Sequence, residues 1–116
     1  MHIDPQVVVT LYRAMVLTRT FDARAVALQR TGKLGTFASS LGQEAISVGI
    51  GSAMADDDVL VPSYREHGAQ FMRGMPMQNT LLYWGGDERG SEIAHWLLFT
   101  TSTSGTFHTP AMFMPS

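Results

Sequence analysis

Val59-Leu60-Val61-Pro62-Ser63-Tyr64-Arg65-Glu66-His67-Gly68 is the stretch on which the fold turns. Its first residues are apolar and rich in β-branched side chains, which predicts a short buried strand ending at Pro62. Ser63 stands three residues before Glu66, the spacing of a capping box, so a helix is expected from Tyr64 to about Arg73, with Gly74 as its stop. A strand that runs straight into a helix is the local pattern of an open α/β sheet, where ligands sit beyond the carboxyl ends of the strands. Amides at the start of that helix would face an anion. Arg65 adds a planar fork that grips phosphate through two hydrogen bonds, and Tyr64 adds a hydroxyl donor. Tyr64 and Arg65 are therefore the candidate anion clamp, and His67 is a candidate acid or base beside it. The same residues also fit a plain surface helix, with Arg65 solvated or paired to an acid and His67 hydrogen-bonded in a structural role.

Upstream, the chain reads as helix. Asp4 is a good N-cap and Pro5 suits the first helical position. Val7, Leu11, Ala14, Leu17, Phe21, Ala25 and Leu28 then form one stripe of a 3.6-residue period, which predicts a long core-packing helix. Arg19 and Arg30 fall on the opposite side, and Gly32 follows the last turn. Ser40 and Gln43 have capping-box spacing, so a second helix is expected from there to about Ala55. Gly42, Ala45, Gly49 and Ser52 would put small residues on one of its faces. Interior glycines each cost about 1 kcal/mol relative to alanine, and close approach of another backbone is the usual reason to keep them. Asp56-Asp57-Asp58 reads as a solvated loop, since it lacks the alternating ligands and turn glycine of a calcium loop. Downstream, Pro76 opens a helix that ends at Gly85-Gly86, and 86–90 reads as an exposed turn.

Composition narrows the function classes. The chain has 116 residues and a formal charge of −2. That balance gives no basic footprint, so a nucleic-acid-binding domain is not expected. Cysteine is absent, which excludes disulfides, a cysteine nucleophile and thiolate metal sites. His2, His95 and His108 show no metal-ligand spacing, and no metal site is expected. No apolar run reaches the ~18 residues of a membrane span, and the N-terminus carries no signal-peptide pattern, so the expected location is cytoplasmic.

Taken in order, Leu11-Tyr12-Arg13-Ala14-Met15, Arg19-Thr20-Phe21-Asp22, Gly42-Gln43-Glu44-Ala45 with Val48-Gly49, Asp58, Tyr64-Arg65-Glu66-His67-Gly68 and Arg73-Gly74 form a recognisable set. The chain resembles the N-terminal part of the alpha subunit of thiamine-diphosphate-dependent 2-oxo acid dehydrogenases, over roughly residues 8–90. The main members are pyruvate dehydrogenase (acetyl-transferring) and the branched-chain 2-oxo acid enzyme. The resemblance implies an α/β fold, here the mostly helical N-terminal portion of a thiamine-diphosphate-binding α/β/α sandwich with at most one or two short strands. It implies oxidative decarboxylation of a 2-oxo acid, pyruvate first and a branched-chain acid as the alternative, with acyl transfer to a lipoyl group. It implies a beta subunit in an α2β2 assembly and a lipoyl acyltransferase as partners. Tyr64 and Arg65 match the pair that contacts the cofactor diphosphate. Phe37, in the loop 36–40 near substrate access, is the weaker substrate candidate together with His67. No catalytic residue is carried over. A non-catalytic helical module that binds a beta subunit is the rival reading.

Two departures stand out. The family's magnesium signature, Gly-Asp-Gly followed later by an asparagine, is missing, and so is its histidine-bearing loop. Every charged residue except Glu92 lies between Asp4 and Arg89, and the stretch beyond is rich in Thr, Ser and Phe. Residues 1–90 are therefore expected to be the family portion, and 91–116 a non-matching tail from a truncation or a shifted reading frame. Marginal stability, no activity and no thiamine diphosphate binding by the chain alone are expected from this division.

Overall fold

The computed structural model describes residues 2–90, which are built on α1 (Pro5–Arg30), α2 (Glu44–Ala53), α3 (His67–Met72) and α4 (Met77–Trp84). The charge-poor tail lies outside the described residues. Among the described residues no helix is long and apolar enough to cross a membrane.

The limits of α1 follow from its end groups. The Asp4 carboxylate accepts the Gln6 amide at 2.9 Å, and Pro5 takes the first helical position. At the other end the Thr31 amide donates to the Ala27 carbonyl, and Gly32 turns the chain out at φ 76°. The second half of α1 carries the core. Phe21 and Ala25 pack with Leu34 and Phe37, and Leu28, Phe71, Met77, Leu81 and Trp84 close over them. Phe21 meets Phe71 edge-on at 4.9 Å and Phe37 at 6.2 Å, the favoured geometry of aromatic pairs.

The first half of α1 departs from the expected stripe. Val7 and Leu17 are about half exposed, and Thr18 is buried in place of Leu17. The reason is a close backbone. Gly68 of α3 lies over Thr18, so near that a Cβ on Gly68 would stand 3.4 Å from the Thr18 hydroxyl. A short side chain fits there, and its hydroxyl is satisfied by donating to the Ala14 carbonyl at 2.8 Å.

Two other expectations are corrected. Ser40 and Gln43 do not cap α2, which starts at Glu44 without a side-chain cap. Ser40 is drawn instead toward α1, where its amide donates to the Asp22 carboxylate. The face of α2 that packs is Glu44, Ser47, Val48 and Gly51, whereas Ala45, Gly49 and Ser52 point to solvent, and Gly42 precedes the helix. The second correction concerns Val59–Pro62, which is irregular, and no strand occurs among the described residues. A strand is held by a neighbour's ladder, and no neighbour is present there. Leu60 alone is buried, between exposed Val59 and Val61. The described part of the fold is thus helical, as suits an N-terminal portion of the expected domain.

Close approach of α2 and α3 does exist, at Gly51 rather than Gly49. A Cβ on Gly51 would fall 2.8 Å from Met72 Cβ and 3.0 Å from Ala69 Cα, whereas one on Gly49 would meet nothing within 4 Å. Alanine gains up to about 1 kcal/mol in a helix interior, but overpacking against a backbone costs about 1–3 kcal/mol. Gly51→Ala is therefore expected to lower the urea midpoint of the full chain, and Gly49→Ala to leave it unchanged or raise it.

Candidate functional site

The segment before α3 is shaped by one carboxylate. Glu66 accepts the Ser63 amide at 2.9 Å and the Arg65 amide at 3.2 Å, with the Ser63 hydroxyl more distant. This is the return half of the capping box only. Ser63 caps nothing in exchange, because α3 begins at His67, with Glu66 as its N-cap residue. Tyr64 and Arg65 therefore sit on a bend ahead of the helix and not in its first turn. The helix is a short one of 6 residues, and the clamp residues precede its first turn instead of lying in it as the sequence suggests.

The two side chains are nevertheless organised together. The Arg65 guanidinium lies over the Tyr64 ring, 5.0 Å from its centroid, a distance that allows cation–π attraction. One Arg65 nitrogen, Nη1, donates to the Ser39 carbonyl at 3.3 Å. The other guanidinium N–H groups have no hydrogen-bond partner among the described residues. Tyr64 is exposed and Arg65 half-buried. The pair can thus present donors to an incoming anion while one arm stays anchored.

That anchor is itself held by Asp22. This carboxylate, buried on α1, accepts the Ser39 hydroxyl at 2.6 Å, the Ser40 amide at 2.7 Å and the Ser40 hydroxyl at 3.3 Å. It ties the 36–40 loop to α1 and so fixes the carbonyl that Arg65 uses. Arg19 and Glu44 make a similar link one turn earlier. Arg19 Nε and Nη2 meet the two Glu44 oxygens at 2.8 and 3.2 Å, and the Gly42 amide donates to the same carboxylate. The hydrogen bond from Arg19 holds the Glu44 carboxyl below its ordinary range. Buried Arg73 donates to the carbonyls of Ala55 and Asp58 and so fastens the acidic loop. Arg19, Asp22, Glu44, Asp58 and Arg73 of the motif set are therefore cross-links between elements. A signal for Asp22 was available in the sequence, since an acid beside Phe21 on the buried stripe needs partners.

The remaining two candidates lie inward. Phe37 and His67 are both buried, and their rings stack at 5.3 Å with an interplanar angle of 17°. The Trp84 indole N–H donates to His67 Nε2 at 3.2 Å, a partner that the sequence reading did not find. Burial pushes the His67 pKa below the usual imidazole range, against the opposing pull of the Asp22 and Glu66 carboxylates. His67 and Trp84 also line a cleft of roughly 180 Å³ with Tyr64, Glu66, Gln70 and Thr80. Tyr64, Arg65, Phe37 and His67 thus belong to one neighbourhood, with the first two toward solvent, His67 in the cleft wall and Phe37 stacked behind it. Among the described residues no three acidic or histidine side chains converge to hold a metal ion.

Comparison with known proteins gives a consistent family. The model of the dehydrogenase E1 component family matches residues 12–111, a span that runs past Gly90 into the charge-poor stretch. The alpha subunit of the pyruvate dehydrogenase E1 component of Mycoplasma genitalium is 37% identical over 99 residues, which cover 78% of this chain and 28% of that protein. Its counterpart in Acholeplasma laidlawii is 42% identical over 81 residues, covering 70% of this chain and 24% of that protein. The alpha subunit of 3-methyl-2-oxobutanoate dehydrogenase from Mycobacterium tuberculosis is 37% identical over 100 residues, 86% of this chain and 26% of that protein. The matched part of this chain spans about a quarter of the length of these relatives. No solved structure matches.

The Asp22 link carries a prediction. Asp22→Ala leaves the buried Ser40 amide without its acceptor, a loss of about 1–3 kcal/mol. The expected outcome is a lower urea midpoint together with faster hydrogen exchange at the Ser40 amide. An unchanged Ser40 exchange rate would contradict the link.

Proposed function

This chain belongs to the dehydrogenase E1 component family, and on that premise we propose that it is part of the alpha subunit of a 2-oxo acid dehydrogenase, with Tyr64 and Arg65 as contacts to the diphosphate of thiamine diphosphate. The observation that carries the reading is the Arg65 fork, anchored at Ser39, stacked on Tyr64, and with donors to spare. These residues fit the anionic end of the cofactor. The metal that neutralises a diphosphate needs hard oxygen ligands, and among the described residues no cluster of three acidic or histidine side chains offers them. The bound cofactor supplies the carbanion chemistry by which a 2-oxo acid loses carbon dioxide. What this chain's residues do is bind and orient. Arg65 offsets phosphate charge, Tyr64 aligns the guanidinium, and the Asp22–Ser39 link keeps both in register with the core.

Pyruvate is the proposed substrate, because several of the relatives carry that name, and a branched-chain 2-oxo acid is the second reading, from the mycobacterial relative. A beta subunit and a lipoyl acyltransferase are the proposed partners, in an α2β2 assembly located in the cytoplasm. His67, in the cleft wall, and Phe37, stacked on it, enter this reading as the weaker candidates for substrate contact. That residues 91–116 derive from a shifted frame is a separate proposal, and sequencing the locus decides it. A single intact frame there removes it.

The clamp is tested in a chimera. Residues 36–90 of this chain replace the matching segment of the Bacillus subtilis pyruvate dehydrogenase alpha subunit, a 35% identical relative, assembled with its own beta subunit. Arg65→Ala in the chimera is expected to weaken thiamine diphosphate binding by at least about tenfold, the equivalent of one charge-assisted hydrogen bond. Calorimetry reads the affinity. Equal affinity for the altered and unaltered chimera would sink the assignment.

A further inference from the structure

The Trp84–His67 contact does more than fill the core. Indole N–H is a donor only, so the His67 Nε2 that it meets must be the unprotonated acceptor nitrogen. Neutral His67 therefore carries its proton on Nδ1. That atom is buried and has no hydrogen-bond partner among the described residues, as is true of the Thr80 hydroxyl across the same cleft. Protonation would put a second N–H on Nε2, facing the Trp84 N–H donor head-on. The bond would be lost, and the ring would hold a charge inside a box of Phe21, Phe37 and Trp84.

Release would be felt by α4. This helix reaches the core through Met77, Leu81 and Trp84, and Trp84 is the member that also hydrogen-bonds α3. The acidic groups acting on the ring are Asp22, from α1, and Glu66, just ahead of α3. Both favour the charged form, and burial opposes it more strongly. The 36–40 loop contributes the uncharged Phe37, and α4 contributes Trp84.

We propose that the Trp84–His67 hydrogen bond is an acid-sensitive latch, in which neutral His67 holds the end of α4 on α3 and protonation of His67 frees Trp84 and opens the cleft between the two helices. The latch stands on the fold and does not depend on the cofactor reading. Because the folded protein favours neutral His67, this contribution to stability is full above the unfolded pKa of about 6.5 and declines as pH falls below it.

The test uses the full chain carrying Trp96→Phe, so that Trp84 is the only indole. Its emission is followed from about pH 8 to about pH 5, the window in which histidine titrates. The expected result is a shift to longer wavelength with a midpoint below about 6.5. In the added variant His67→Gln, the amide oxygen accepts the same bond without titrating, and the shift should vanish. An unshifted emission in the parent, or an equal shift with His67→Gln, overturns the latch. Should His67→Gln lose its helical signal, ring-nitrogen NMR of the parent decides. A proton on Nδ1 at about pH 8 supports the latch, and a proton on Nε2 overturns it.

Discussion

The separation between α2 and α3 is the constraint from which the rest of the described structure follows. Gly51 lets the two helices approach until Ala69 Cα would touch an added methyl, and Gly68 does the same against Ser47 and Val48. With helices so close, Thr18 of α1 is buried beneath Gly68, and Phe21 gathers the aromatic residues one turn on. The residue that precedes Gly68 is His67, and two before that is Arg65. The crossing thus sets both the inward residue of the site and the outward one.

Cross-links then lock what the crossing sets. Arg19 with Glu44, Asp22 with Ser39 and Ser40, and Arg73 with the Ala55–Asp58 carbonyls each join segments far apart in sequence. Each has at least one buried side chain with charge-assisted partners, the kind of hydrogen bond whose loss is costly. Arg19, Asp22, Glu44, Asp58 and Arg73 are among the residues that made the family recognisable. A family pattern can therefore include scaffold residues beside Tyr64 and Arg65.

The sequence was legible where local chemistry decides. Asp4 and Pro5 opened α1, while Gly32, Gly74 and the Gly85-Gly86 pair ended helices, since caps and left-handed turns are made within a few residues. It was misread where distant partners decide. Ser40 had the spacing of a cap, yet its amide is claimed by Asp22, eighteen positions away. Val59–Pro62 had strand composition, yet lacks a neighbouring strand among the described residues. The Ser63–Glu66 spacing was real, but only Glu66 used it, so α3 starts three residues later than expected and the clamp stands on a bend. Trp84 on His67 needed the packing of α4 before it could be seen.

The described structure depends on the helix crossing more than on any single side chain, and nuclear Overhauser contacts read that crossing directly. In the full chain in solution, the Gly68 α-protons should show a strong contact to the Val48 γ2 methyl, because Val48 Cγ2 lies 3.1 Å from the place of a Gly68 Cβ. Absence of that contact, in a sample whose α1 amides are protected, would contradict the account.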